Sequence, residues 1–174
     1  MGVDPGTVSM GYGIVDVIDN NVSIITSGAI TGSTRVPLSQ RLSHIYQKLD
    51  AVIRRFNPEE VAIEEPFVAD NPRTALAVGR AQAVAMLVAA QHGLPVFIYS
   101  PTKIKLAVTS YGGSSKEQVQ EMVKLQLGLE QPPQPNDAAD ALAVALCHKQ
   151  QTYLSNLIQT SLAIGNDEAK QLYP

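Results

Sequence analysis

The chain has 174 residues, of which 45% are hydrophobic and 17% are charged, and its formal net charge is −3. These values predict one soluble domain with a sizeable core, and the single cysteine, Cys147, excludes an internal disulfide and indicates a reduced, cytoplasmic setting. No segment is expected to span a membrane, and the first residues lack the charged and apolar regions of a secretory signal.

The first half of the chain is predicted to form three strands, a helix and a fourth strand. MGVDPG is typical of a short strand that runs into a tight turn, with only three residues before Asp4. The β-branched runs YGIVDVID and VSIITSGAI, joined at Asn20-Asn21, predict a hairpin. Apolar residues at helical spacing between Pro37 and Phe56 predict a helix, and VAIE predicts the next strand.

The second half of the chain is predicted to be mainly helical. An Ala-rich helix from about Thr74 to Gln91 precedes the strand LPVFIYS, and PTKIKLAVTSY forms a short helix. The loop GGSS precedes a helix over Ser115–Leu127 and the final helix NDAADALAVALCHKQ, and its glycines either give freedom to reach a ligand or form a plain turn between helices. The order β-β-β-α-β-α-β-α-α-α predicts an α/β fold, a mixed sheet with helices on both faces. Residues 1–150 form the predicted domain, and residues 151–174 a surface helix or disordered tail.

Positive charge is concentrated in one part of this acidic chain. Residues 71–116 contain no Asp or Glu, and their cations are Arg73, Arg80, Lys103, Lys105 and Lys116. This asymmetry suggests a basic surface for phosphates, since non-specific affinity for DNA comes from neutralised phosphates. A solvated, mildly basic face explains the same charges equally well.

Acidic residues stand at the ends of three predicted elements. Asp4 ends the first strand, Glu64 and Glu65 end the fourth strand, and Asp137 and Asp140 begin the last long helix. Each has an ordinary explanation as a turn residue, a solvated strand end or a helix cap. Taken singly, none of them indicates a site.

Taken together, the acidic residues predict a metal site. If the first and fourth strands are adjacent and parallel, Asp4 and a glutamate emerge at one edge, and the i, i+3 spacing puts Asp137 and Asp140 on one helical face. Carboxylates gathered in this way repel one another unless cations lie among them, and their oxygens suit Mg²⁺ or Mn²⁺. Two such ions about 4 Å apart are a recurring device for phosphodiester cleavage. Because strand side chains alternate, Glu64 and Glu65 point to opposite faces, and the pattern does not choose between them.

Four motifs, found over roughly residues 2–148, together resemble those of one nuclease family. They are GVDPGT, AIEEPF, GGSSKEQVQ and DAADALAVA, and they are similar in order and spacing to the RuvC family of bacterial Holliday-junction resolvases. The resemblance implies an RNase H-like fold, a homodimer and Mg²⁺-dependent nicking of two opposed strands at a four-way DNA junction. It also implies two ions per active site, with Mn²⁺ as an alternative, and a branch-migration complex of a junction-binding tetramer and a hexameric motor as partner.

The resemblance also assigns roles to individual residues. It implies that the catalytic, metal-binding carboxylates are Asp4, Glu64, Asp137 and Asp140, and it favours Glu64 over Glu65. Phe67 is similar to an aromatic residue that stacks on a junction base, and Lys105 and Lys116 to residues that contact DNA phosphates. A hydrophobic staple or a dimer contact is the alternative role for Phe67.

Other functions remain open from the residues alone. One is a different RNase H-like nuclease that acts on RNA–DNA hybrids or single-strand ends, and another is a catalytically silent junction-binding protein. An ATPase of the actin or sugar-kinase type also begins with a DxG strand end, but it needs a second domain for which 174 residues leave no room. The helix that starts at about Thr74 is the expected dimer surface.

Overall fold

A single five-stranded sheet organises the protein. The computed structural model describes residues 1–19, 21–66 and 72–172, and the side chains within these ranges except at 72 and 159–172. Strands and helices follow one another in the predicted order. They are β1 Gly2–Asp4, β2 Ser9–Ile18, β3 Asn21–Thr31, α1 Leu38–Phe56, β4 Val61–Glu64, α2 Pro72–Gln91, β5 Val96–Tyr99, α3 Pro101–Thr109, α4 Lys116–Gln126 and α5 Asn136–Leu172.

The shortest strand, β1, lies at the centre of the sheet. The strand order is β3-β2-β1-β4-β5, in which β1 pairs antiparallel with β2 and parallel with β4. Val3, in the middle of β1, has no solvent exposure. Ladder bonds on both sides therefore fix a strand of only three residues, together with Asp4 at its end.

Helices cover both faces of the sheet, as predicted. On one face α1 and α2 form a core with the sheet, to which β4 contributes Val61 and Ile63. On the other face α3, α4 and α5 form a second core around Ala62 of the same strand. Because strand side chains alternate, the next residue with the orientation of Ala62 is Glu64, which therefore lies on the α5 face.

Side-chain caps fix where the helices next to this face begin. Ser115 caps α4 through a capping box, in which its hydroxyl accepts from the backbone N–H of Gln118 and the Gln118 side chain accepts from the Ser115 N–H. Lys116 is therefore held as the first helical residue. Helix α5 continues without interruption from Asn136 to Leu172, beyond the limit of 150 expected for the domain.

Helix α2 is apolar on two sides. Residues Arg73–Gln91 have the length and mean hydropathy that a membrane span needs, properties shared by core helices of globular proteins. Ala81, Ala85 and Ala89 are buried in the core, whereas Leu76 and Leu87 are exposed. The exposed apolar residues leave one side of α2 open for a contact outside this chain.

Candidate active site

The carboxyl ends of β1 and β4 bring two of the predicted acidic residues together. In the parallel pair, Gly2 lies opposite Ala62 and Val3 opposite Ile63, so the next two positions are Asp4 and Glu64. The first and fourth strands are thus adjacent and parallel, which is the condition under which Asp4 and a glutamate were expected to meet, and both carboxylates extend toward α5.

The structure distinguishes the two adjacent glutamates. Glu64 is half-buried on the α5 face, whereas Glu65 is exposed and its backbone N–H donates to the carbonyl of Tyr99 at 2.9 Å. Of the two, only Glu64 lines the cleft that also contains Asp4.

Glycines in the sheet allow the first turns of α5 to lie against it. A Cβ atom at Gly11 would stand 1.9 Å from the carbonyl oxygen of Asp137, and one at Gly2 would stand 2.1 Å from that of Ala141. No side chain fits at these distances, so any other residue would push α5 outward. The sequence carries a signal for this contact in the glycines at alternate positions of β2, Gly11 and Gly13.

Three aspartates converge where α5 meets β1. Asp4, Asp137 and Asp140 each offer a carboxylate oxygen, and these oxygens all lie within 4.8 Å of one another. Glu64 is not in this close group but lines the same cleft of about 270 Å³ with Asp4 and Asp140. We call these four residues the carboxylate cluster.

Polar side chains orient two members of the carboxylate cluster. The hydroxyl of Ser9 donates to Oδ2 of Asp137 at 2.7 Å, and Nζ of Lys116 lies 2.5 Å from Oδ2 of Asp140. The side chain of Gln120 also hydrogen-bonds to Asp140. The sequence analysis missed Ser9 and Gln120, because a serine at a strand start and a glutamine in a helix carry no signal of this role.

Burial and neighbouring acidic groups raise the pKa values of three of the four carboxylates in the cluster. Burial, reinforced by Glu64 and Asp140, raises the pKa of Asp4 from 3.8 to about 8. Burial and then the charge of Asp140 raise the pKa of Glu64 from 4.5 to about 7. Burial also raises the pKa of Asp140, although the hydrogen bond and charge of Lys116 oppose the shift.

Lys116 is the cation inside this cluster. Burial lowers its pKa, but the hydrogen bond to Asp140 and the charges of Asp140, Asp4 and Asp137 outweigh that effect and raise it. Four acidic side chains therefore surround a single ammonium group within the carboxylate cluster, and full ionisation of the acids would require further positive charge. The donor set consists of hard carboxylate oxygens, so the residues present fit a divalent cation such as Mg²⁺ or Mn²⁺.

The predicted DNA contacts fall partly on this cleft. Lys105 lines it together with Lys116, and the charges of both lysines lower the pKa of Glu64 against the larger effect of burial. Phe67 lies outside the described residues. The cleft therefore has a basic side formed by α3 and the start of α4.

Comparisons with known proteins place the chain in a family. The family model described as crossover junction endodeoxyribonuclease RuvC matches residues 1–148. The chain belongs to the RuvC family. A RuvC from Dehalococcoides mccartyi is 50% identical over 158 residues, which are 91% of this chain and 95% of the relative.

Solved structures of the RuvC family share the fold. The Thermus thermophilus RuvC structure superposes with a TM-score of 0.82 at 34% identity, and the match covers 88% of this chain and 95% of the T. thermophilus chain. T. thermophilus RuvC in complex with a Holliday junction substrate gives the same TM-score of 0.82 and identity of 34%, and covers 88% of this chain and 94% of its own. The predicted RNase H-like fold is confirmed.

Proposed function

We propose that this chain is a crossover junction endodeoxyribonuclease. It resolves four-way (Holliday) DNA junctions during recombination and repair by hydrolysing phosphodiester bonds on two opposed strands. The observation that carries the proposal is the carboxylate cluster, formed at the ends of β1, β4 and α5 in a chain of the RuvC family. A relative at 34% identity was solved with a Holliday junction substrate, which supports the same substrate here.

The carboxylate cluster would hold two Mg²⁺ ions, with Mn²⁺ as an alternative. When bound, the ions would polarise the scissile phosphate, activate a water molecule and stabilise the leaving oxygen. Ser9 fixes the orientation of Asp137, and Gln120 and Lys116 fix that of Asp140. These contacts hold the ligands in place before substrate arrives, which matters because small misplacements reduce the rate strongly.

DNA would approach the cleft over its basic side. Lys105 and Lys116 would contact phosphates of the cleaved strand, and Phe67 would stack on a base of the opened junction. The acid-free stretch of residues 71–116 supplies the positive charge for this surface.

Two copies of the chain would act together, because two-fold symmetry in a dimer matches the near two-fold symmetry of a four-way junction. The exposed side of α2 is the proposed contact, since Leu76 is 57% exposed and Leu87 52% exposed on a helix whose other side is buried. Residues 1–150 would form the nuclease domain and residues 151–174 an extension of it. The branch-migration complex of a junction-binding tetramer and a hexameric motor is the proposed partner.

Cleavage of a synthetic four-way junction in Mg²⁺ tests the proposal. Wild type is compared with Asp140→Asn, and a linear duplex of the same sequence is the control substrate. Paired nicks on opposed strands, lost in the variant and absent from the duplex, are expected. Binding of the junction without cleavage would identify a silent junction-binding protein. Cleavage of the duplex or of an RNA–DNA hybrid instead would identify a different nuclease.

A further inference from the structure

An exposed tyrosine lies in the loop that joins two helices lining the cleft. Tyr111, in the loop between α3 and α4, has 68% of its surface exposed, more than any other large apolar side chain in the part of the chain that the structure describes. Exposed aromatic residues are common at binding surfaces, where a rigid ring offers a large contact area. The contacts of the loop around Tyr111 distinguish a binding role from incidental exposure.

Hydrogen bonds hold the backbone of Tyr111 on both sides. Its N–H donates to the hydroxyl of Thr109 at 3.2 Å, and its carbonyl accepts from the hydroxyl of Ser114 at 2.8 Å. The hydroxyls of Thr109 and Ser114 lie 2.6 Å apart, and Ser114 is only 3% exposed. The loop is thus ordered from within, although Tyr111 points to solvent.

The ring of Tyr111 rests on a glycine. A Cβ atom at Gly113 would lie 2.8 Å from the ring atoms Cζ and Oη, so a larger residue there would displace the ring from its present position. The contact involves the hydroxyl end of the ring, and Tyr111 still has 68% of its surface exposed. Gly113 therefore lets the ring lie close to the loop backbone while most of it remains accessible.

The same loop adjoins the basic side of the cleft. A Cβ atom at Gly112 would lie 2.9 Å from Cγ2 of Thr102, so the loop packs on the first turn of α3, one turn from Lys105. At its other end the loop passes through the capping residue Ser115 to Lys116, whose ammonium group contacts Asp140. Tyr111 is therefore attached at both ends to elements that line the cleft.

We propose that Tyr111 is a DNA contact that stacks its exposed ring on a nucleobase of the junction strand entering the cleft. The proposal rests on the proposed function and adds an aromatic contact beside that expected for Phe67. Because hydrogen bonds already hold the backbone of Tyr111, stacking does not require the loop to become ordered. Every base has an aromatic face, so this contact adds affinity and positions the strand without selecting a sequence.

The experiment measures junction binding by wild type, Tyr111→Phe, Tyr111→Leu and Tyr111→Ala, in Ca²⁺ to separate binding from cleavage. Junctions that carry 2-aminopurine at successive positions near the cleavage site report stacking by fluorescence quenching. Tyr153→Ala is the matched control, because Tyr153 is 47% exposed but lies in α5 away from the cleft. Thermal unfolding of each variant is measured alongside.

Tyr111→Ala and Tyr111→Leu are expected to bind the junction about 10-fold more weakly than wild type and to lose the quenching at one probe position. Tyr111→Phe and Tyr153→Ala should behave as wild type, with similar unfolding temperatures throughout. Equal binding and quenching by Tyr111→Ala and wild type would overturn the stacking role, and so would equal losses in Tyr111→Phe and Tyr111→Ala. A wild type that neither binds nor cuts junctions would instead overturn the proposed function.

Discussion

Helix α5 carries two polar clusters, and they differ in how their polar groups are satisfied. In its first turn, Asp137 and Asp140 face Asp4 and Glu64 with one ammonium group between them. About two turns further along the same helix, His148 is 7% exposed. Its Nε2 lies 2.6 Å from a carboxylate oxygen of Glu60 and its Nδ1 2.8 Å from the hydroxyl of Tyr99. We call His148, Glu60 and Tyr99 the histidine cluster.

The comparison separates a polar cluster whose groups are paired from one that keeps like charges close together. Each ring nitrogen in the histidine cluster has a partner, as buried polar groups in folded proteins generally do. The carboxylate cluster keeps like charges close together, which raises the pKa values of Asp4 and Glu64 and destabilises the ion-free protein at neutral pH. Such unfavourable arrangements are typical of sites that bind an ion of opposite charge.

Replacement of Glu64 should give the largest loss of cleavage, and replacement of its neighbour Glu65 should give little. We expect Glu64→Gln to lower junction cleavage by at least about 10³-fold, because it removes one ligand of ions that supply several kcal/mol. Glu65→Gln is the matched control, since Glu65 is exposed outside the cleft. Initial rates of junction cleavage at saturating Mg²⁺ measure the difference. Similar losses in both variants would contradict the assignment of Glu64.

Replacement of Gly11 by alanine should displace the first turn of α5 and so disturb the carboxylate cluster. In Gly11→Ala the new Cβ meets the carbonyl of Asp137 at 1.9 Å, so α5 must shift. We expect a loss of about 3 kcal/mol in the free energy of unfolding and a much reduced cleavage rate. Gly32→Ala, where the nearest atom is 3.8 Å away, is the control. Denaturant unfolding that gives the same free energy for both variants would show that close packing at Gly11 is unimportant.

The ion-free protein should lose stability as the pH rises. The pKa of Asp4 is about 8 and that of Glu64 about 7 in the fold, against 3.8 and 4.5 as usual values. The folded state therefore holds protons that the unfolded chain releases, so stability falls between about pH 4 and pH 8. In EDTA, we expect the unfolding temperature to drop by about 10 °C or more from pH 5.5 to pH 8.5.

Asp4→Asn should flatten this pH profile, because it removes a carboxyl group that is costly to ionise. At pH 8.5 in EDTA the variant is expected to unfold at a higher temperature than wild type, and added Mg²⁺ should stabilise wild type more than the variant. A variant less stable than wild type at pH 8.5 would mean that Asp4 has a favourable partner in the ion-free protein.

The smallest effect is expected in the histidine cluster. Tyr99→Phe removes the hydroxyl 2.8 Å from Nδ1 of His148 and leaves a buried nitrogen without this partner. We expect a cost of about 1–2 kcal/mol in the free energy of unfolding, with the cleavage rate unchanged. Circular dichroism in urea and the junction assay measure both. A loss of cleavage without loss of stability would assign the histidine cluster to the active site.

Local patterns were sufficient to predict the order of the elements. Alternating β-branched residues and helical spacing gave all five strands and five helices in sequence, and the family motifs named the four carboxylates. The α/β pattern permitted parallel pairing of β1 and β4 without requiring it, and the structure has this pairing. Boundaries were less accurate, since α2 begins at Pro72 and not near Thr74. Residues 151–172 continue α5, which agrees with the helical one of the two alternatives expected for this segment.

Tertiary contacts account for what the sequence left undecided. The choice between Glu64 and Glu65 depends on which face of β4 α5 covers, which no local pattern encodes. The bond from Ser9 to Asp137 joins residues 128 positions apart. Gly112 and Gly113 suggested either a loop free to reach a ligand or a plain turn between helices, and their close contacts with Thr102 and Tyr111 were not predictable from the local sequence.

The central claim is that the carboxylate cluster is completed by cations. Calorimetric titration of Mn²⁺ at pH 7, in two buffers with different enthalpies of ionisation, tests this claim most directly. Because the pKa values of Asp4 and Glu64 are about 8 and 7, binding should release protons from wild type, and Asp4→Asn should bind more weakly and release fewer. Binding without proton release, or equal binding by wild type and Asp4→Asn, would contradict the account.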